Sequence, residues 1–318
     1  VYAGLGIAML SAVLILGEVT HGSKLSFSIS GVTFQPSEFV KIIFVFFLAS
    51  ALYESHDLLR VMLTAVLAGI HVLILVASRD LGSALIFFIV YVLMVFIATN
   101  QWAYLLIGGA GGCGAAVLAY HFFTHVQVRV QAWKDPFSCI DDAGYQITQS
   151  LFAIGSGGWF GLGLFRGTPD SIPFVEADFV FSAVAEELGI SFSMCMILIC
   201  ISCFIMFMNI SMRLQDRFYR LIAFGLGVTY IFQVFLTVGG GTKFIPMTGV
   251  TLPFISYGGS SVLTTLVMFF IIEGLYIIRQ EEGEKRVKKK KRRRRTEYKT
   301  IPREDRAIRQ EEFKEETE

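Results

Sequence analysis

The chain has 318 residues, of which 54% are hydrophobic and 17% are charged. A water-soluble domain of this length would need far more charged residues to cover its surface, so the composition excludes one. The formal net charge of +1 hides an uneven distribution, because 16 of the 27 Lys and Arg residues follow Ile278. The sequence is therefore a nearly uncharged body, residues 1–278, followed by a charged tail, residues 279–318.

Eight apolar stretches of the body are candidates to cross a bilayer, which takes roughly 20 apolar residues per helix. Because every backbone amide must be satisfied inside lipid, these stretches are predicted to be helices. The sequence thus predicts an all-α, polytopic integral membrane protein with about eight transmembrane helices. The stretches are 1–18, 38–53, 58–78, 82–99, 103–123, 180–208, 218–238 and 261–278.

The distribution of Lys and Arg predicts the orientation in the membrane. The basic run 285–295 places the C-terminus in the cytoplasm, and Arg213 and Arg217 in a short loop agree with that side. The long segment 124–179 and the Gly- and Pro-rich segment 239–260 are then extracytoplasmic.

The charged tail is polybasic at first and of mixed charge towards its end. Such a composition favours disorder. Basic residues that follow a last span attract anionic lipid headgroups, at about 1 kcal/mol per residue. We expect those headgroups as partners of the tail, and no nucleic acid.

An excess of positive charge on the predicted outer side runs against the orientation rule. An anionic ligand at the outer membrane face would explain it, and phosphate is the commonest kind. The alternative is that these cations pair with neighbouring acids such as Asp80, Asp135 and Glu176. The outer basic residues are Lys24, Arg79, Arg129, Lys134, Arg166 and Lys243.

Polar residues at the edge of a span are functional candidates by default. Glu38 and Lys41 begin the second stretch and lie three residues apart, so they share a helix face and are predicted to neutralise each other. Asp80 precedes the fourth stretch, where an outer helix cap is an equally simple role.

The long segment 124–179 interleaves aromatic, amide and cationic side chains with glycines. This composition suits a polar, sugar-bearing ligand, and it suits a re-entrant loop nearly as well. The candidate binding residues are Arg129, Trp133, Lys134, Gln146, Gln149, Ser150 and Arg166.

The segment 239–260 predicts irregular backbone that lines a cavity, because Gly and Pro are concentrated there at a membrane boundary. Its candidate binding residues are Lys243, Ser256 and Tyr257. The sequence contains no metal-binding signature, and its five Cys follow no disulfide or metal spacing.

Asp178 precedes the sixth stretch, and Glu186 and Glu187 lie inside it. On a continuous helix Glu186 would lie about 80° around from Asp178 and about 12 Å deeper. A partly desolvated carboxylate near cations can act as a general base. An Asp in this position also makes a good N-terminal helix cap, so the spacing alone leaves both roles open.

At these motifs the sequence resembles the SEDS family (shape, elongation, division and sporulation), the relatives of RodA, FtsW and SpoVE. The similarity runs in family order from about residue 20 to 278 and excludes the tail. The matching pieces are Gln35-Pro36-Ser37-Glu38…Lys41, Asp80-Leu81-Gly82-Ser83, Arg129…Trp133…Pro136, Tyr145-Gln146…Gln149-Ser150-Leu151, Gly157-Gly158…Gly161…Gly163, Asp178-Phe179…Phe181, Glu186-Glu187-Leu188-Gly189, Pro246…Thr248-Gly249…Leu252-Pro253 and Ser256-Tyr257-Gly258-Gly259-Ser260-Ser261.

The resemblance implies a peptidoglycan glycosyltransferase that polymerises lipid II at the outer face of the bacterial cytoplasmic (inner) membrane, for division, elongation or sporulation. It implies Asp178 as the catalytic base and a class B penicillin-binding protein as a partner. The outer cations would then meet the lipid diphosphate leaving group. A divalent cation such as Mg²⁺ stays open as a cofactor, although the sequence shows no dedicated cage for one.

Family members have ten spans, so the eight found here, in a chain that begins with Val1, lead us to expect that two spans are missing. A lipid II flippase is one rival function. It differs from the enzyme in that it would not need Asp178 as a proton acceptor. A non-catalytic membrane scaffold of a cell-wall synthase is another. The flippase would need a headgroup site on the inner side, where the loops carry only Arg60, Arg213, Arg217 and Arg220.

Overall fold

The computed structural model describes residues 1–20, 23–29, 32–54 and 57–300. Ten helices and three short strands follow one another along these residues, with two 3₁₀ turns at 137–139 and 169–171. The elements are α1 (Tyr2–Leu16), β1 (Glu18–Thr20), β2 (Ser23–Ile29), β3 (Val32–Phe34), α2 (Pro36–Leu52), α3 (Leu58–Ala77), α4 (Leu81–Thr99), α5 (Trp102–Phe122), α6 (Thr124–Lys134), α7 (Tyr145–Gly157), α8 (Val180–Arg213), α9 (Arg217–Gly241) and α10 (Gly259–Thr300).

The prediction of an all-α polytopic membrane protein is confirmed, since each of the eight predicted stretches lies on a helix. Among the described residues, six helices are long and apolar enough to span a membrane: α3, α4, α5, α8, α9 and the first part of α10. The helices α1 and α2 are shorter, with 15 and 17 residues.

The three strands form a small antiparallel sheet, in the order β1-β2-β3, between α1 and α2. Val19 pairs with Lys24, and Phe27 pairs with Phe34. The apolar stretches predict no element here, although Leu25, Phe27 and Ile29 alternate with polar residues, which is the sequence pattern of a strand. The side chain of Lys24, one of the predicted outer cations, lies outside the described residues.

The bundle is built around α9, which is the most deeply buried of the six long apolar helices. It packs against α2, α4, α8 and α10, and aromatic side chains such as Phe44, Phe87 and Phe207 fill the shared core. By contrast, α5 has no buried residue. Most of its surface therefore lies on the outside of the bundle.

The connections lie at two opposite ends of the bundle. Short links join α2 to α3, α4 to α5 and α8 to α9 at one end, where Arg217 donates to the carbonyl of Ala98 at 2.7 Å. The small sheet, the segment 124–179 and the segment 242–258 lie at the other end, which we call the loop face. Every candidate binding residue named above lies at that end.

A buried ion pair within α2 is hydrogen-bonded to α9 through Gln233. Lys41 Nζ lies 2.8 Å from Glu38 Oε1 and donates to Gln233 Oε1 at 2.9 Å, while only 2% of Lys41 and 5% of Glu38 are exposed. Gln233 Nε2 in turn donates to the carbonyl of Thr251 at 3.0 Å. The predicted neutralisation of Glu38 by Lys41 is present, and the network extends from it to the segment 242–258.

The helix α8 is interrupted at Gly189, whose φ of 84° and ψ of 166° are not helical. The interruption frees the carbonyls of Glu186 and Glu187, which accept from the backbone N–H groups of Leu162 and Gly163 at 2.9 and 3.0 Å. A Cβ at Gly189 would come within 2.5 Å of the facing loop backbone. Glycine is therefore needed both for the dihedral angles and for this close approach.

The first part of the tail continues α10 to Thr300. Lys and Glu are good helix formers, and Glu281–Lys285 and Glu284–Lys288 form i,i+4 ion pairs at 3.7 and 3.3 Å. These local interactions explain why α10 continues beyond the apolar stretch. The remainder of the tail, 301–318, lies outside the described residues.

Breaking the buried pair should destabilise the bundle. We expect Glu38→Gln to lower the free energy of unfolding by about 3–5 kcal/mol, because it leaves the Lys41 charge buried without a counter-ion. The double variant Glu38→Gln/Lys41→Met removes both charges and should recover most of that loss. Thermal unfolding in detergent, followed by intrinsic fluorescence, measures both effects.

The matched control for this test is Lys285→Gln, which breaks an exposed ion pair with Glu281 and should leave the unfolding midpoint unchanged. A Glu38→Gln protein as stable as the unmodified one would contradict a structural role for the buried pair.

Candidate functional site

Asp178 lies in the turn that precedes α8, two residues before the first helical residue Val180. The N-cap position belongs to Phe179, and no side chain caps this helix. The capping role left open by the sequence therefore has no support in the structure. Because Asp178 lies outside the helix, the helical projection that placed Glu186 about 80° and 12 Å away from it is wrong.

The environment of Asp178 favours a proton-accepting role. Burial, with a smaller contribution from Glu176, raises the pKa of the Asp178 carboxyl from 3.8 to about 6, and the Arg129 guanidinium opposes that rise. Desolvation disfavours the ionised form more than one nearby cation restores it. The group still ionises near neutral pH, which is the range that a general base requires.

Arg129 is the cation of the site. It lies on α6, and its Nη1 lies 3.4 and 3.3 Å from the carbonyl oxygens of Met247 and Thr248. Burial lowers the pKa of Arg129, and the carboxylates of Asp178 and Asp80 oppose that change. The guanidinium therefore sits in the field of two acids from different parts of the chain.

The segment 242–258 holds the turn of Asp178 in place. A Cβ built on Gly249 would lie 3.7 Å from Asp178 Oδ2. The backbone N–H of Tyr257 donates to the carbonyl of Glu176 at 2.7 Å, and the hydroxyl of Ser256 donates to the carbonyl of Ala177. The carboxylate thus lies between α6 and this segment, at the loop face.

Two of the predicted binding residues are structural. Ser150 is fully buried, and its hydroxyl donates to the carbonyl of Gly241 at 2.7 Å and contacts the hydroxyl of Ser182. Ser256 is buried as well, and its hydroxyl is engaged with the backbone. Both hydroxyls join one element to another, so a structural role accounts for these two serines.

Other predicted residues do face the open side of the site. Tyr257 is 79% exposed, and Lys134 and Arg166 are exposed at the loop face. Trp133 is half-buried and donates from Nε1 to the carbonyl of Lys243 at 3.1 Å, so these two candidates are neighbours. Gln146 and Gln149 are half-buried on α7, where they stay predictions.

Glu186 and Glu187 fix a loop instead of facing Asp178. Glu186 Oε1 accepts from the backbone N–H of Thr168, and Glu187 Oε1 accepts from that of Phe165, both at 3.1 Å. Arg166 lies between these two anchored residues. The other oxygen of Glu186, Oε2, is buried and has no hydrogen-bond partner among the described residues.

Asp80 caps α4, which is one of the two roles that the sequence left open. Its Oδ1 accepts from the backbone N–H of Ser83 at 3.0 Å, and its Oδ2 accepts from the hydroxyl of Ser37 at 3.1 Å. The second bond ties the start of α4 to the start of α2. The nearby charge of Arg129 adds a third interaction.

Two participants were not found from the sequence. Gln233 could have been recognised as an amide inside an apolar stretch, which is an expensive position without a partner. His125 is the other, and its pKa is lowered by burial and by Arg129 and Arg79. Its proximity to the cations depends on the chain path between α5 and α6, for which the sequence gives no signal.

The described residues contain no group of three or more His, Cys, Asp or Glu side chains that could hold a metal ion. A bound Mg²⁺ would therefore need ligand oxygens from elsewhere, such as those of a diphosphate. The divalent cation stays a prediction.

Comparison with known proteins defines the family of this bundle. The family of FtsW, RodA and SpoVE cell cycle proteins matches residues 2–281, so the chain belongs to that family. Peptidoglycan glycosyltransferase RodA of Mycobacterium tuberculosis is 35% identical over 268 residues, which cover 79% of this chain and 57% of the relative. The chain thus spans little more than half the length of that protein.

Two further similar proteins support the same family assignment. A probable peptidoglycan glycosyltransferase FtsW of Saccharophagus degradans is 36% identical, over 81% of this chain and 70% of its own length. Among solved structures, RodA of Thermus thermophilus is 27% identical, with a TM-score of 0.62 over 87% of this chain and 77% of that one.

A chain from a structure described as "Structural coordination of polymerization and crosslinking by a peptidoglycan synthase complex" is 26% identical, with a TM-score of 0.74. That match covers 87% of this chain and 80% of the other. The order of helices and loops described above is therefore shared with an experimentally determined fold.

The raised pKa of Asp178 predicts a pH-dependent cost in stability. Between pH 3.8 and about 6 the folded state binds more protons than the unfolded state, so this group lowers stability as pH rises through that window. We expect Asp178→Asn to be more stable than the unmodified protein at pH 8, by at most about 3 kcal/mol. The gain should disappear near pH 4.

Thermal unfolding at a series of pH values measures this difference, with Asp141→Asn, an exposed carboxylate in the same segment, as the control. A constant difference between the Asp178→Asn and unmodified proteins across the whole pH range would contradict burial as the cause.

Proposed function

We propose that this protein is a peptidoglycan glycosyltransferase that polymerises lipid II at the outer face of the bacterial cytoplasmic membrane. The observation that carries the proposal is the Asp178 carboxylate, held half-buried beside Arg129 at the loop face. The names of the RodA and FtsW relatives support the same activity.

The reaction proposed is an inverting displacement. The carboxylate of Asp178 takes the proton of the acceptor sugar hydroxyl while the hydroxyl oxygen attacks the anomeric carbon of the donor. A new C–O glycosidic bond forms as the C–O bond to the lipid diphosphate breaks. The diphosphate leaves with the bonding electron pair, and the configuration at the anomeric carbon is inverted.

Cations at the loop face would stabilise the charge that develops on the diphosphate. Arg129 is the best placed, since its guanidinium lies near both Asp178 and Asp80. Lys134 and Arg166 are exposed and can meet a ligand that approaches from outside the bundle, and Lys243 lies beside Trp133. Arg129 would also keep the carboxylate ionised at neutral pH.

The orientation in the membrane follows from the basic residues. The polybasic end of α10 supports a cytoplasmic C-terminus by the positive-inside rule, and with that orientation the loop face would be extracytoplasmic. Lipid II presents its sugars on that side of the membrane once it has been flipped. Anionic headgroups on the cytoplasmic side are the proposed partners of the tail.

A class B penicillin-binding protein is the proposed protein partner. The similarity to a chain of a peptidoglycan synthase complex supports this assignment. A polymerase that works beside a transpeptidase can pass each new glycan strand directly to crosslinking.

Removing the proposed base should nearly abolish polymer formation. We expect Asp178→Asn, assayed with labelled lipid II and the transpeptidase partner, to lose about 10²–10⁴-fold in rate. Asp141→Asn, which changes an exposed carboxylate in the same segment, should retain the full rate. Glycan products separated by length on a gel measure polymer formation by both variants.

Polymerisation by Asp178→Asn at the unmodified rate would contradict the assignment of the base. A folded protein that makes no polymer in any form, yet moves lipid II across vesicles whether residue 178 is Asp or Asn, would favour the flippase. A folded protein with neither activity would favour the scaffold.

The pH profile of polymerisation tests the electrostatics. We expect the rate to fall below about pH 6, where Asp178 becomes protonated. Arg129→Gln removes the cation that lowers the pKa of Asp178. The fall in the polymerisation rate of this variant at acid pH should therefore begin at a higher pH. Lys134→Gln, a basic residue exposed on the same helix, should leave the midpoint where it is, even if the rate falls. An unchanged midpoint in Arg129→Gln would contradict the coupling between Arg129 and Asp178.

A further inference from the structure

An exposed apolar loop, residues 158–165, lies between α7 and the turn of Asp178, and we call it the aromatic loop. It contains no charged residue. Its large side chains point away from the protein, with Trp159 69%, Phe160 89% and Phe165 93% exposed. Leu162 and Leu164 are exposed as well. Soluble surfaces rarely gather so many large apolar side chains within one short segment.

The backbone of the aromatic loop is hydrogen-bonded to the interruption in α8 from both sides. The N–H groups of Leu162 and Gly163 donate to α8 carbonyls, as described above. In the opposite direction, Ile190 donates to the carbonyl of Gly158 at 2.9 Å, and Ser191 donates to that of Trp159 through both its N–H and its hydroxyl. Irregular backbone can enter a membrane boundary only when its polar groups are paired in this way.

The length of α8 sets the level of the aromatic loop relative to the membrane. The part after the interruption, from Ile190 to Arg213, has about 24 residues and is roughly 36 Å long at 1.5 Å per residue. A hydrocarbon core is about 30 Å thick. With Arg213 at one membrane boundary, the interruption and the loop bonded to it lie at the other, where headgroups meet acyl chains.

The apolar surface of the loop continues into the lipid-facing side of α8. Phe192 and Met194, just beyond the interruption, are 51% and 52% exposed on a membrane-spanning helix. Trp and other aromatic side chains favour the membrane–water interface, where the ring is apolar and its N–H can meet water. Arg166 follows Phe165 directly and is exposed, in a position to reach lipid phosphates.

We infer that the aromatic loop is an interfacial membrane anchor, whose Trp159, Phe160 and Phe165 side chains insert among lipid acyl chains just below the headgroups of the leaflet at the loop face. The partner is the bilayer itself. The inference does not depend on glycosyl transfer, and it holds for a scaffold or a flippase as well. Its role is to fix the height of α7 and of the Asp178 turn above the acyl chains.

Quenching of tryptophan fluorescence tests this directly, because the sequence has three Trp residues. In Trp102→Phe the emitters are Trp133 and Trp159, and in Trp102→Phe/Trp159→Phe the emitter is Trp133 alone. Each protein is reconstituted in phosphatidylcholine vesicles brominated either near the headgroup end or near the end of the acyl chains. Aqueous iodide is the opposing quencher.

We expect the emission that Trp159 contributes to lose most of its intensity to bromine near the headgroup end, less to bromine near the chain ends, and little to iodide. Trp133, half-buried and bonded to Lys243, is the internal control and should not respond to the brominated lipids. Its unchanged emission also reports that both variants are folded.

Quenching of Trp159 by iodide and not by brominated lipid would overturn the inference, because the loop would then lie in water. Quenching by neither would overturn it too, since protein and not lipid would cover the loop. A second variant guards against a local effect of the first substitution. Phe165→Trp in the Trp102→Phe/Trp159→Phe background moves the emitter to the far end of the loop and should restore the lipid quenching.

Discussion

The buried ion pair between Glu38 and Lys41 is the interaction on which the rest of the structure depends. Lys41 also binds Gln233, and Gln233 binds the backbone at Thr251, so a single chain of polar contacts runs from α2 through α9 to the irregular segment at the loop face. A second bond, from Thr237 to the carbonyl of Val250 at 2.7 Å, holds that segment to α9. Lys41, Glu38 and Gln233 are buried, and in a low-dielectric interior an unpaired polar group is costly. The irregular segment is fixed for that reason.

Fixing this segment fixes the electrostatics of the candidate site. Its carbonyls at Met247 and Thr248 accept hydrogen bonds from the Arg129 guanidinium. Its residues Ser256 and Tyr257 donate to the backbone of the turn that carries Asp178. The carboxylate of Asp178 and the guanidinium of Arg129 are therefore positioned by the same irregular segment, although they come from opposite ends of the long segment 124–179. The site gains its character from two opposed effects: burial favours the protonated acid, and the cation favours the ionised one. A small movement of the segment would change both.

The sequence predicted the helices well because apolar runs of membrane length are rare outside membrane spans. It predicted Asp178 through motif resemblance, and spacing alone could not separate a base from a cap. It could not show that Ser150 is sealed inside the bundle, because a serine in a polar motif looks the same whether its hydroxyl faces a ligand or a carbonyl. The relation of Glu186 to Asp178 was missed because the sequence does not show that α8 begins at Val180, two residues after Asp178.

The three-residue spacing of Glu38 and Lys41 has a consequence for how the protein enters the membrane. Translocon-mediated insertion penalises a single charged residue by about 2.5–3.5 kcal/mol at the centre of a helix. Glu38 and Lys41 lie in the first two turns of the 17-residue helix α2, where each charge still has a cost. Because the acid and the base share one helix face, α2 can carry its own counter-ion during synthesis, before α9 exists. The pair can thus form first as a local device for insertion, and Gln233 joins it once the later helices have been made.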